Sequence, residues 1–140
     1  MAPIGNDMRE FPNFGGALRY YRENIAERLR RYVPGRLPEI QLSAKEVVAC
    51  MRAADYPISP AAFSDIEQGI YLPKDPERFI EKVIPCLALD KNSPEYHNLM
   101  DHLVRDILIQ RVGAEAADVY WSQIREARTK QGMLTDPKKT

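Results

Sequence analysis

Apolar residues along the chain recur at three- and four-residue steps and never alternate with polar ones in the two-residue rhythm of a strand. Phe14, Leu18, Tyr21, Ile25 and Leu29 form the first stripe and predict a helix of about four turns starting near Asn13. Val33-Pro34-Gly35-Arg36-Leu37-Pro38 breaks it. A second helix follows through Val47, Val48 and Met51 to about Ala54, opened by Ser43 and Glu46 at capping-box spacing. Ser59-Pro60 then starts a short helix with Phe63 and Ile66 on one face. A serine hydroxyl takes a backbone N–H left unpaired at a helix start, and proline loses nothing at the first helical position. Gly69 ends that helix as a left-handed cap would, and Pro73 closes its loop.

The start signal returns twice. Asp75-Pro76 opens a stripe of Phe79, Ile80, Val83, Ile84 and Leu87, in which Pro85 should kink or shorten the helix by removing one backbone bond. Ser93-Pro94 opens another with Leu99, Leu103, Val104, Ile107 and Leu108, ending near Gly113. A last helix carries Val119, Tyr120, Trp121 and Ile124 before a polar tail. The expected fold class is all-α, without internal repeats. Its expected segments are a flexible arm over 1–12, a helical domain over 13–92, a helical extension over 93–131 and a tail over 132–140.

Three blocks carry a resemblance. Ser59, Phe63, Ser64, Ile66, Glu67, Gly69 and Pro73 match a pattern close to S-x-x-x-I-S-x-I-E-x-G-x-x-x-P. Phe14 to Glu23 contains G-x-x-L-R-x-x-R, shifted by no residue from Gly15 through Arg22. Leu42-Ser43-Ala44-Lys45-Glu46-Val47-Val48-Ala49 stands between them. Over residues 14–89 the chain resembles the Cro and lambda-repressor (Xre-like) helix-turn-helix family. The resemblance implies a five-helix domain, with helix Ser59 to Gln68 as the recognition helix. The connection between the first two helices is enlarged relative to that pattern, and the last third of the chain lies outside it.

Function then follows as what the resemblance implies: a dimeric, sequence-specific, DNA-binding transcriptional regulator or repressor. The family reads bases with the first two residues after the cap and the sixth, here Pro60, Ala61 and Asp65, with Ala62 beside them. Proline and alanine offer apolar contact to a thymine methyl, and Asp65 an acceptor for cytosine N4. Candidates for phosphate are Ser43, Lys45, Ser59, Ser64, Tyr71 and Lys74, joined by Arg30, Arg31 and Arg36 of the enlarged connection. Arg22 and Glu67 occupy the family's structural ion pair. Leu99, Leu103, Ile107, Tyr120, Trp121 and Ile124 are the candidate dimer interface. The alternative is a protein-interaction module that keeps this scaffold without direct base readout.

Charge changes this picture in one respect. Lys plus Arg and Asp plus Glu are both 20, for a net charge of zero. A protein held on DNA by phosphates is usually basic. The sum hides a gradient: residues 1–52 total +3, 53–104 total −5 and 105–140 total +2.

Catalytic and metal chemistry find little material. His97 and His102 are five apart, so one helical face cannot present both to a metal. They and neighbouring Asp101 and Asp106 are expected on the surface. No phosphate loop, close cysteine pair or nucleophile elbow occurs, and neither enzyme activity nor a metal or other cofactor is expected. Cys50 and Cys86 sit in apolar helical surroundings, where buried free thiols are expected ahead of a disulfide or ligand pair. No apolar run approaches the ~20 residues of a membrane span, and the expectation is a soluble cytoplasmic protein.

Overall fold

A computed structural model describes residues 8–25 and 42–133, and within them every regular element is a helix. They are α1 (Phe14–Glu23), α2 (Ala44–Ala53), α3 (Pro60–Glu67), α4 (Pro76–Cys86), α5 (Pro94–Arg111) and α6 (Ala114–Lys130).

Four of the six starts use the side chains expected of them. Ser43 accepts from the Glu46 N–H while the Glu46 carboxylate accepts from the Ser43 N–H, completing the capping box. Ser59, Asp75 and Ser93 accept from the N–H three residues on, each with proline at the first helical position. Pro85 is tolerated because α4 ends one residue later. The first helix is shorter than its stripe. Asn24 caps it after Glu23, its N–H and side-chain amide both donating to the Tyr20 carbonyl. Ile25 is still buried, whereas Leu29 lies outside the described residues, as do Arg30, Arg31 and Arg36.

One core joins five of the helices. Phe14, Leu18 and Tyr21 of α1 meet Val47 and Met51 of α2, Phe63 of α3, Phe79 and Val83 of α4, and Leu99 and Leu103 of α5. Phe79 is its aromatic centre, edge-on to Phe14 and Tyr56 and stacked with Phe63. Leu99 and Leu103 are therefore buried within the subunit and are not dimer-interface residues. The first helix after residue 92, α5, completes the core of the helices before it. The apolar excess of α5 is explained by its two neighbours, α1 on one side and α6 on the other.

The polar side of α5 is buried too, contrary to its expected exposure. Asn98, Asp101 and His102 are essentially inaccessible, with Glu95 and Arg105 close behind. Residues 8–12 are the reason. The backbone of residues 9–12 belongs to no helix or sheet, yet buried N–H and C=O groups need partners. Asn98 donates to the Arg9 carbonyl and the Tyr21 hydroxyl, and Arg105 donates to the Phe11 and Pro12 carbonyls. The Phe11 N–H donates to His102 Nε2 at 2.9 Å. Met8 is 1% exposed. So residues 8–12 are a fixed strap, and only 1–7 of the expected arm lie outside the description.

That contact dictates the state of His102. With Nε2 accepting, Nδ1 carries the proton and donates to the Asn98 carbonyl. Burial, followed by the charges of Arg105 and Arg125, lowers its pKa to about 4. Trp121 closes the cluster, 4.8 Å from the His102 ring and between the guanidinium groups of Arg105 and Arg125, at 4.2 and 4.3 Å. Asp101 takes a two-pronged ion pair from Arg128, at 3.0 and 2.8 Å. Trp121 is thus a half-buried pillar between α5 and α6.

Cys50 and Cys86 form a disulfide, so neither is the free thiol expected. Cys50 lies on the exposed outer side of α2 and Cys86 at the end of α4.

Candidate nucleic-acid interface

The short helix α3 is held from behind. Its inner face is Phe63 and Ile66, both buried. Behind it, α1 crosses so closely that a Cβ on Gly15 would lie 2.2 Å from the Ile66 carbonyl oxygen and 2.6 Å from that of Glu67. Only glycine permits this approach. At the same crossing Arg22 pairs with Glu67 through two bonds, Nε to Oε2 at 2.7 Å and Nη2 to Oε1 at 2.9 Å. Its third donor, Nη1, reaches the Leu42 carbonyl at 2.9 Å. One guanidinium thereby ties α1 to the end of α3 and to the entry of α2. The bond to Glu67 raises the Arg22 pKa and outweighs the cost of burial.

Both ends of α3 are fixed by local chemistry. At its start, Ile58 is buried and its carbonyl accepts from Arg52 Nε. At its end, Gly69 has φ of +77°, its N–H bonds the Ile66 carbonyl and that of Ile70 bonds the Asp65 carbonyl. These are the two bonds of a Schellman cap. A side chain at 69 would also strike the Asn13 amide, which lies 2.7 Å from the Cβ position.

With its back fixed, α3 turns Pro60, Ala61 and Ala62 outward, all three exposed. Asp65 and Ser64 are half-buried, and the Ser64 hydroxyl accepts from Gln68. Ser43 and Ser59 each accept one capping bond while keeping a hydroxyl proton to donate. Lys45, Tyr71 and Lys74 are exposed. The outward residues of α3 are neutral and small. Arg78, further along, is engaged with the Asp55 carbonyl and lies over the Tyr56 ring.

The sequence signal of this close crossing is the pair Gly15-Gly16 inside a helical stripe. A second neighbouring feature is apolar. Ile70, Tyr71, Ile109 and Val112 are each about half or more exposed, and the first three border a shallow groove with Pro12, Leu72 and Gln110. The remaining candidate interface residues, Ile107, Tyr120 and Ile124, are half-buried, and burial pushes the Tyr120 hydroxyl up to about 12.

Among the described residues no three His, Cys, Asp or Glu side chains converge on a metal-sized site, and no helix is long and apolar enough to cross a membrane. Comparison with family models, with curated proteins and with solved structures found no match to this chain.

Proposed function

We propose that this protein is a duplex-DNA-binding regulator built on a helix-turn-helix of the Cro and lambda-repressor type, with α2 and α3 as the two helices of the motif. The observation that carries this reading is the mounting of α3. It is braced from behind by Gly15 and the Arg22–Glu67 pair while Pro60, Ala61 and Ala62 of its first turn stand exposed. A short helix is marginal alone and gains its order from such bracing. A rigid helix with a bare outer first turn suits insertion into a major groove.

In this reading, Ser43, Lys45, Ser59, Ser64, Tyr71 and Lys74 contact phosphates and fix the register. Pro60 and Ala61 meet thymine methyls, and Asp65 accepts from cytosine N4. Arg30, Arg31 and Arg36 supply the charge that α3 lacks. Two copies bind paired half-sites, and occupancy of the DNA excludes or recruits polymerase. Because Leu99 and Leu103 are committed inside the subunit, the pairing surface is drawn from what remains outside.

The alternative, a protein-interaction module on the same scaffold, is favoured by the exposed Ile70, Tyr71 and Ile109 around one groove, since contiguous apolar surface marks protein contacts. Fluorescence anisotropy with genomic and random duplexes at low and high salt separates the two, repeated with Arg30→Ala/Arg31→Ala. Sequence-dependent binding that falls with salt, and weakens in the variant, supports the regulator. Absence of binding at low salt supports the module.

A further inference from the structure

We propose that the Cys50–Cys86 bond is a reducible clamp whose opening loosens α3 without unfolding the subunit, placing the outward face of that helix under thiol control. The DNA consequence rests on the reading above; the clamp does not.

The position of the bond carries the inference. It joins the outer side of α2 to the end of α4, and the ring it closes contains the whole of α3 with both of its turns. The inner side of α2, by contrast, is Val47, Val48 and Met51, packed in the core against α4 and its neighbours. Opening the disulfide leaves these side chains in place and Cys86 within the core cluster. What it removes is a covalent limit on how far α2 and α4 separate around an eight-residue helix. Cys50 is exposed, so a thiolate can reach it while the protein stays folded.

The exchange balances with a small dithiol as reductant. Its thiolate attacks Cys50 Sγ, the sulfur–sulfur bond breaks, and the electron pair leaves on Cys86 Sγ, which takes a proton. The second dithiol sulfur, as thiolate, attacks the first, closing a cyclic disulfide and releasing Cys50 as a thiolate that takes the second proton. Two electrons and two protons pass from the dithiol to the cystine. Reclosure requires a disulfide oxidant and runs the same steps backward. A cytoplasm keeps such bonds open and an oxidising compartment keeps them closed, so the bond links the state of α3 to its surroundings.

The test is hydrogen–deuterium exchange on the full chain, oxidised and after dithiothreitol, with thiol labelling to count open cysteines. Two labelled thiols, exchange over residues 60–69 roughly tenfold faster and unchanged exchange in α5 and α6 are expected. The variant Cys50→Ser/Cys86→Ser should show the faster rates with or without dithiothreitol. A cystine that opens only when the chain unfolds overturns the clamp, as do open thiols with unchanged rates over 60–69, or loss of protection throughout. Duplex affinity is read in both states, and a roughly threefold or greater weakening on reduction is expected, since a preorganised binding surface gives the tighter complex. Equal affinity overturns the thiol control of binding, and no affinity in either state overturns the DNA reading while leaving the clamp.

Discussion

Replacing Arg22 by methionine keeps the unbranched apolar stem of the side chain but removes the guanidinium and its charge. The Glu67 side chain is only 7% exposed and that of Arg22 13%, so water cannot take the place of the guanidinium. Glu67 is left as an unpaired buried carboxylate, and the Leu42 carbonyl loses its donor. Breaking a buried pair from one side costs about 3–5 kcal/mol. For a chain of this size that lowers Tm by roughly 10 °C or more. Glu67→Leu alone should cost a comparable amount, because the Arg22 charge is then stranded. The double variant Arg22→Met/Glu67→Leu buries no charge and should recover most of the loss, giving a coupling of about 2 kcal/mol or more in a double-mutant cycle. Urea denaturation of the four proteins at neutral pH measures this directly. Additive losses would refute the claim that the pair is one buried unit bracing α3.

Three further outcomes follow from the packing. Gly15→Ala should destabilise by about 2 kcal/mol or more, since its Cβ cannot coexist with the Ile66 and Glu67 carbonyls without moving α1; a loss confined to that expected of an exposed helical site would refute the close crossing. His102 is held neutral, with a pKa lowered from 6.5 to about 4. Above pH 6.5 it is neutral folded or unfolded. As pH falls from there to about 4, the unfolded chain takes a proton that the folded one refuses, so stability should drop by about 3 kcal/mol over that window. Denaturation of wild type and His102→Gln between pH 4 and 7 isolates the effect, and parallel pH slopes would contradict it. Trp121→Ala should cost about 3 kcal/mol by removing the ring between Arg105 and Arg125. Sedimentation should find its oligomeric state unchanged, and a loss of association would return Trp121 to an interface.

The sequence was most legible where the chemistry is local. Ser43, Ser59, Asp75 and Ser93 each cap the helix that follows, because a capping bond spans three residues and is written in consecutive letters. The Phe14–Leu18–Tyr21 and Phe79–Val83 stripes point inward for the same reason. Arg22 and Glu67 are 45 residues apart, and in the sequence only the helix-turn-helix resemblance pairs them. On α5 polarity does not mean exposure. Asn98, Asp101, His102 and Arg105 look like the wet side of α5, yet they bond the strap at residues 8–12 and Arg128 of α6. Periodicity identifies a polar face without saying whether it meets water or another segment's backbone. Cys50 and Cys86 carry no spacing signal, since only the folding of α2 against α4 brings them together. The outward surface of α3 is the least legible part: Pro60, Ala61 and Ala62 define a shape, and a shape acquires meaning only with its partner.

The most direct test of that partner is amide chemical-shift mapping of the 15N-labelled chain titrated with a duplex selected for binding. The regulator reading predicts shifts concentrated at residues 43–46, 59–65 and 71–74, with α6 silent. Shifts confined to the patch around Ile70 and Ile109, or none at all at low salt, would contradict it.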